Sequence, residues 1–308
     1  MKILFLHGYG TSGEIFEQQL SSILAMLGAH HTYVFLDGEV PVTRTELAGF
    51  IPGKNLAYYD GYEASHVASA HELLHATIEA EEIPFDGVVG YSQGGSFAIS
   101  YMIQQQIEHP DKTPPFRWAL FFSPGFVLSP DPDYNEKDIM YFAKDLEQSD
   151  RDAIHTMLIE RKQVKPVEEF VSLPKLNERQ RDLCMALVST AATMLATREV
   201  FHIEESNSFN MDGRAQDSYG PRDFPRFFHS VYTEQRLPIV TVFVHGSEED
   251  EAPLRLARVA QGLCEPDKII IVENPGIHEI PNKAESVGNV VRAIEKAHYI
   301  GQRLVFDI

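Results

Sequence analysis

The chain has 308 residues, of which 44% are hydrophobic, and this suffices for one large domain or for one domain with a sizeable insertion. Its formal net charge of -19 excludes a general affinity for nucleic acid or anionic membranes, because both carry phosphates that would repel it. The apolar run at the amino terminus is shorter than a signal-peptide core of about 7 to 15 residues. With only two cysteines, the sequence predicts a cytoplasmic protein.

The first part of the chain alternates short apolar runs with helical patterns, which is typical of βα units that build a mostly parallel sheet. Thr11 and Glu14 have capping-box spacing, and Gly28 follows the last apolar position, so a helix is predicted between them. Further helices are predicted over about 63–81 and, after Ser92, to about 108. Strands are predicted at 2–6, 32–36, 86–91 and 118–122.

Two more apolar strands are predicted near the carboxyl end, at 238–244 and 268–272. Between residues 129 and 235 the alternation stops and helical patterns dominate, notably over 177–200. Because this stretch is too long for a connecting loop, we predict a helical lid over 129–235, inserted into a core formed by 1–128 and 236–308.

A nucleophile motif lies between a predicted strand and a predicted helix. Gly90-Tyr91-Ser92-Gln93-Gly94 has the GxSxG spacing of a nucleophile elbow, in which a tight turn lifts the serine hydroxyl above the sheet. The motif in this context predicts an α/β-hydrolase fold with Ser92 as the nucleophile. An ordinary glycine turn is the alternative.

A serine nucleophile needs a base and an acid, which follow it in the order acid, then histidine. His278 lies in a turn-rich loop after the last predicted strand and is the candidate base. The loop after the preceding strand, Gly246 to Glu251, offers Glu249 and Asp250 as candidate acids. We favour Asp250 because aspartate is the commoner acid, with Glu249 as the alternative.

Acyl transfer also needs two backbone donors for the oxyanion. The amide of Gln93, directly after the nucleophile, is one candidate, and the amide of Tyr9 in the glycine-containing loop 7–10 is the other. This loop could instead bind phosphate, but the chain lacks GxGxxG or GxxxxGK spacing.

A metalloprotease reading competes with the hydrolase reading, because His71-Glu72-Leu73-Leu74-His75 is an HExxH string on a predicted helix. A zinc site needs a third ligand and an open cleft. This helix should instead pack on the sheet with its histidines near the solvated side, so no metal and no cofactor are expected.

A stripe of apolar residues in the insertion is the candidate acyl pocket. Met185 and Met194, together with Leu187 and Leu195, recur at helical spacing, and methionine adapts to varied apolar ligands. Phe126 is a further candidate for the pocket. The stripe could equally pack the lid onto the sheet.

Four motifs together resemble the FSH family of serine hydrolases and its fungal branch that releases or trims polyketides. They lie at 5–10, 35–38, 90–95 and 123–126. The resemblance implies an α/β-hydrolase fold, a serine triad and the hydrolysis of esters or thioesters carried by acyl carrier proteins or coenzyme A. Carried over by position, it supports Ser92, His278 and the loop at Tyr9.

The chain departs from that family at two places. The helical segment over about 130–225 is longer than expected, and the acid motif, commonly Gly-x-x-Asp, reads Gly246-Ser247-Glu248-Glu249. Direct counting therefore puts Glu249 in the acid position, whereas one inserted residue would put Asp250 there.

These observations predict a serine hydrolase that cleaves an acyl thioester or ester with a long apolar chain, such as a polyketide or fatty acyl intermediate. Hydrolysis of a carbon-carbon bond in a β-dicarbonyl polyketide is the first alternative. The HExxH metalloprotease is the second.

Overall fold

The computed structural model describes residues 1–42, 53–61, 63–137 and 226–304. Within these ranges the chain alternates strands and helices. In order they are β1 (Lys2–Leu6), α1 (Gly13–Gln19), α2 (Ser21–Leu27), β2 (Thr32–Leu36), β3 (Val40–Pro41), β4 (Leu56–Ala57), α3 (Ala64–Glu79), β5 (Gly87–Tyr91), α4 (Gln93–Glu108), β6 (Trp118–Phe122), β7 (Val240–Gly246), α5 (Glu251–Gln261), a 3-10 turn (Pro266–Lys268), β8 (Ile269–Asn274) and α6 (Ala284–Leu304).

In the described part of the chain, six strands form one parallel sheet in the order β2-β1-β5-β6-β7-β8. The short strands β3 and β4 pair separately as an antiparallel hairpin. Because all six strands run the same way, the loops that leave their carboxyl ends meet at one edge of the sheet. In open α/β sheets this edge is where ligands bind.

Both faces of the sheet are covered, and this explains why its strands are continuous apolar runs. Successive side chains of a strand point to opposite faces, so Leu4 and Leu6 join the core beneath α3 and α4, whereas Ile3 and Phe5 join the core beneath α1, α2 and α6. Trp118 in β6 is fully buried in the core beneath α1, α2 and α6. The central strands are therefore fixed by burial on two sides.

Most predicted elements are present, with shifts of one or two residues at their ends. The first helix is an exception, because it breaks at Leu20 into α1 and α2 and is capped by Ser12. The Ser12 hydroxyl accepts a hydrogen bond from the amide of Ile15, whereas the predicted cap, Thr11, donates its hydroxyl to the carbonyl oxygen of Gly8. Gly28 ends α2 with φ 94°, as predicted.

The two ends of the predicted lid lie side by side on the core. The amide of Ser129 donates to the carbonyl oxygen of Arg226, and the amide of Phe228 donates to that of Val127. Phe227 and Phe228 belong to the larger apolar core, although the prediction placed them in the lid. The remainder of the predicted lid, 138–225, lies outside the described residues.

No helix in the described part of the chain is both long enough and apolar enough to cross a membrane.

Candidate active site

The predicted nucleophile lies at the carboxyl end of β5, where the chain turns directly into α4. Ser92 has φ 50°, a conformation that side-chain-bearing residues rarely adopt, and it is partly exposed. Gly94 makes the turn possible, because a Cβ atom there would lie 2.1 Å from the carbonyl oxygen of Leu6. The local geometry is that of a nucleophile elbow.

The loop after β1 is held by a buried histidine. The Nε2 atom of His7 accepts a hydrogen bond from the amide of Gly38 over 2.9 Å, so its Nδ1 atom carries the proton and donates to the carbonyl oxygen of Gly8 over 2.8 Å. Burial lowers the pKa of His7, although the Gly8 hydrogen bond and the charge of Asp37 oppose this. A neutral His7 thus fixes the backbone just before Tyr9.

The two candidate oxyanion residues are tied to the same segment, residues 58–60. The side-chain amide of Gln93 accepts from the amide of Tyr58 over 3.1 Å and donates to the carbonyl oxygen of Tyr59 over 2.7 Å. The hydroxyl of Tyr9 donates to Asp60 over 2.9 Å. Gln93 is also the first residue of α4, where backbone amides have no partner inside the helix.

The candidate base is hydrogen-bonded to Glu249. The Nδ1 atom of His278 donates to Oε1 of Glu249 over 2.5 Å, and the Glu249 side chain is only 2% exposed. Burial acts to raise the pKa of Glu249, but the hydrogen bond and charge of His278, together with Ser123 and the Gly246 amide, outweigh it and hold that pKa below its ordinary value. Glu249 is therefore a buried carboxylate directed at the imidazole.

The sequence-based preference for Asp250 is wrong about which carboxylate meets His278. Asp250 is exposed and precedes α5 as its N-cap, without a side-chain capping hydrogen bond. The acid lies one residue earlier than preferred because the turn at 246–249 directs the Glu249 side chain inward. The loop therefore contains no residue inserted between Gly246 and the acid position. The geometry favours Glu249 as the acid.

The acid loop and the base loop pack backbone to backbone. The amide of Glu248 donates to the carbonyl oxygen of Gly276 over 2.9 Å. A Cβ atom at Gly246 would lie 2.3 Å from that same oxygen, so glycine is required there. Tyr91, which directly precedes Ser92, donates its hydroxyl to the carbonyl oxygen of His278 over 3.0 Å. These contacts join the nucleophile, acid and base loops.

Sequence reasoning missed one polar residue of the site. Ser123 lies at the carboxyl end of β6 and donates its hydroxyl to Oε2 of Glu249 over 2.8 Å. It stands in one of the four motifs that carried the resemblance, but nothing in the sequence tied it to a residue 126 positions away.

Comparison with known proteins identifies the family of the chain. The family described as "Serine hydrolase (FSH1)" matches residues 1–290. The chain belongs to this family of serine hydrolases. Its fold is accordingly the predicted α/β-hydrolase fold.

Two relatives and one solved structure illustrate the similarity. "Esterase alnB" of Emericella nidulans is 31% identical over 301 residues, which cover 96% of each chain. "Hydrolase FUB4" of Fusarium oxysporum f. sp. lycopersici is 39% identical over 125 residues, which cover 40% of this chain and 46% of the relative. The esterase RhEst1 of Rhodococcus sp. ECU1013 is 15% identical, covers 96% of this chain and 91% of its own, and superimposes with a TM-score of 0.46.

In this FSH1-family chain, the HExxH histidines are used in packing between α3 and α4. His71 is buried and hydrogen-bonded through Nε2 to the hydroxyl of Ser100 over 2.8 Å, and Nδ1 of His75 is 2.9 Å from the hydroxyl of Tyr101. Burial lowers the pKa of His71 to about 3. The expectation that both histidines lie near solvent is wrong for His71. Among the described residues, no group of three potential ligands could hold a metal ion.

The predicted pocket residues are described only in part. Met185 and Met194 lie outside the described residues. Phe126 is partly buried and packs edge-on against Phe227, with ring centroids 6.4 Å apart. Its place in an acyl pocket stays a prediction.

Proposed function

We propose that this FSH1-family enzyme hydrolyses an acyl ester or thioester with a long apolar acyl chain, using Ser92 as nucleophile, His278 as base and Glu249 as acid. The observation that carries the proposal is the hydrogen bond between the buried Glu249 carboxylate and Nδ1 of His278. The loop of His278 is in turn held to the nucleophile turn by the hydrogen bond from the Tyr91 hydroxyl. This is the arrangement that a serine hydroxyl needs in order to become nucleophilic.

The two ring nitrogens of His278 have different roles in the proposed reaction. Nδ1 of His278 donates to Glu249, and we assign to Nε2 the role of taking the proton of the Ser92 hydroxyl as its oxygen attacks the acyl carbon. The ionised Glu249 stabilises the imidazolium that forms. That imidazolium then gives the proton to the departing alkoxide or thiolate, and a water activated by the same histidine releases the acid from the acyl-enzyme.

The oxyanion of each tetrahedral intermediate needs donors that are in place before the reaction. We assign this role to the backbone amides of Gln93 and Tyr9. Their side chains are both hydrogen-bonded to segment 58–60, and this tether supports a fixed spacing between the two amides. A fixed pair of donors costs little reorganisation when negative charge develops.

The substrate part of the proposal draws on a relative and on the sequence. The name of the relative "Esterase alnB", similar over 96% of both chains, supports an ester bond. The methionine-containing stripe of the sequence supports a long apolar acyl chain, for which a polyketide or fatty acyl group is proposed. Presentation by an acyl carrier protein or coenzyme A is part of the same proposal.

A substrate screen with product masses tests this proposal. Purified enzyme and Ser92→Ala are offered acyl thioesters, acyl esters and β-diketones, each over several chain lengths. The proposal predicts Ser92-dependent release of the carboxylic acid, fastest for the longer thioesters or esters. Ser92-dependent cleavage of the β-diketones alone would assign the chain to carbon-carbon bond hydrolysis instead.

A further inference from the structure

Ser123 has an unusual backbone conformation at a position that faces the candidate acid. It directly follows β6, its φ is 38°, and its amide donates to the carbonyl oxygen of Val244 in β7 over 2.9 Å. Only 5% of the residue is exposed. A non-glycine residue keeps such a conformation only where its surroundings determine it, and such residues cluster at functional sites.

The hydroxyl of Ser123 accounts for the second oxygen of the buried carboxylate. Oε1 of Glu249 is bonded to His278, and Oε2 accepts from Ser123 over 2.8 Å and from the amide of Gly246 over 3.4 Å. A buried ionised carboxylate needs donors on both oxygens, because an unsatisfied one loses its hydration without compensation. Ser123 supplies the shorter of the two hydrogen bonds to Oε2.

The side-chain geometry of glutamate makes a second anchor necessary. The terminal torsion of glutamate is broad, so a single hydrogen bond to Oε1 leaves the plane of the carboxylate free to rotate. A short hydrogen bond to Oε2 restricts that rotation. The backbone of Ser123, pinned to β7 through Val244, gives this anchor a fixed position relative to the acid loop.

We propose that Ser123 is a positioning residue that orients the Glu249 carboxylate toward His278 and holds it ionised. This inference rests on the proposed function, because it gives Ser123 a role only through the acid of the triad. The connected set of groups is then Ser92, His278, Glu249 and Ser123, and only the first two take part in proton transfer.

The test compares Ser123→Ala and Ser123→Gly in two backgrounds. Both remove the hydroxyl, but glycine also suits the positive φ, so agreement between them separates loss of the hydroxyl from backbone strain. Because a hydrogen bond to a charged group is lost, kcat should fall about 10- to 100-fold with little change in KM. In a Glu249→Gln background the same substitutions should lower kcat by less than about twofold, since a residue acting through the carboxylate has nothing left to orient.

Ser129→Ala is the matched control. Ser129 is also a buried serine, but its hydroxyl accepts only from the amide of Asp131 among the contacts described, so kcat should stay within about twofold of wild type. Thermal melts of all variants report whether each is folded.

Three outcomes are separable. Wild-type kcat in Ser123→Gly, with a large loss in Glu249→Gln, overturns the role of Ser123 and leaves the triad intact. Equal losses in both backgrounds also overturn it, because they show a merely structural contribution. Full activity in Glu249→Gln removes the acid from the proposed function, and the role of Ser123 with it.

Discussion

Replacing Glu249 by glutamine should lower kcat by about 10³ to 10⁴ and leave the protein folded. The amide keeps the shape of the side chain but not its charge, so it cannot stabilise the imidazolium of His278. Charge centres about 4 Å apart at an effective dielectric constant of about 20 attract by about 4 kcal/mol. Because each 1.36 kcal/mol is tenfold in rate, that attraction alone corresponds to about a thousandfold. The 2.5 Å contact sets the distance between the charges of His278 and Glu249, and the 2% exposure of the Glu249 side chain justifies a dielectric constant well below that of water.

Asp250→Asn is the control for this prediction, because Asp250 is the neighbouring carboxylate and is exposed. It should change kcat by less than about tenfold. The assay is release of a chromogenic alcohol from an acyl ester, with kcat and KM measured for both variants and folding checked by circular dichroism. A large loss in Asp250→Asn with near-normal turnover in Glu249→Gln would refute the assignment of Glu249 as the acid.

Three further predictions follow from the same contacts. His278→Ala should lower kcat by about 10⁴ to 10⁶ and leave the protein folded, because it removes the base that takes the proton of Ser92, and near-normal turnover in that variant would point to another base. Burial lowers the pKa of His71 to about 3. Between about pH 6.5 and 3 this histidine therefore binds a proton in the unfolded chain but not in the folded one. The free energy of unfolding should decrease on acidification over this range by at most about 1.4 kcal/mol per pH unit. Denaturant melts of His71→Leu should lack that component, and parallel pH curves would contradict the reasoning. Gly246→Ala should destabilise the fold by about 1–3 kcal/mol and lower kcat, because its Cβ would lie 2.3 Å from the carbonyl oxygen of Gly276. The control is Gly288→Ala in α6, which should change neither stability nor kcat, because the nearest contact of its Cβ would be at 3.4 Å.

The sheet could be predicted from sequence because burial on both faces leaves a strong local signal. Runs such as 118–122 are apolar throughout, and Ser92 lies between such a run and a helix, which identifies the elbow. Helix ends were harder to place. Thr11 and Ser12 are both good capping residues, and the choice depends on the hydrogen bond from Thr11 to the carbonyl oxygen of Gly8, which the sequence does not reveal.

The site could be predicted only as far as local spacing reaches. Glu249 and Asp250 are adjacent carboxylates, and what separates them is the direction in which a turn points each side chain. The position of Glu249 depends on backbone contacts with a loop about 30 residues later, such as that between Glu248 and Gly276. Ser123 was missed for the same reason. It follows β6, whereas its partner Glu249 follows β7, and these two strands become neighbours only when the chain folds.

The most direct test of the central claim is covalent labelling of Ser92. A fluorophosphonate should add once per chain, and mass spectrometry of the digested protein should place the adduct on Ser92. Ser92→Ala should remain folded, take up no label and lose about 10⁴ to 10⁶ in turnover. An adduct on another residue, or turnover retained in Ser92→Ala, would contradict the account.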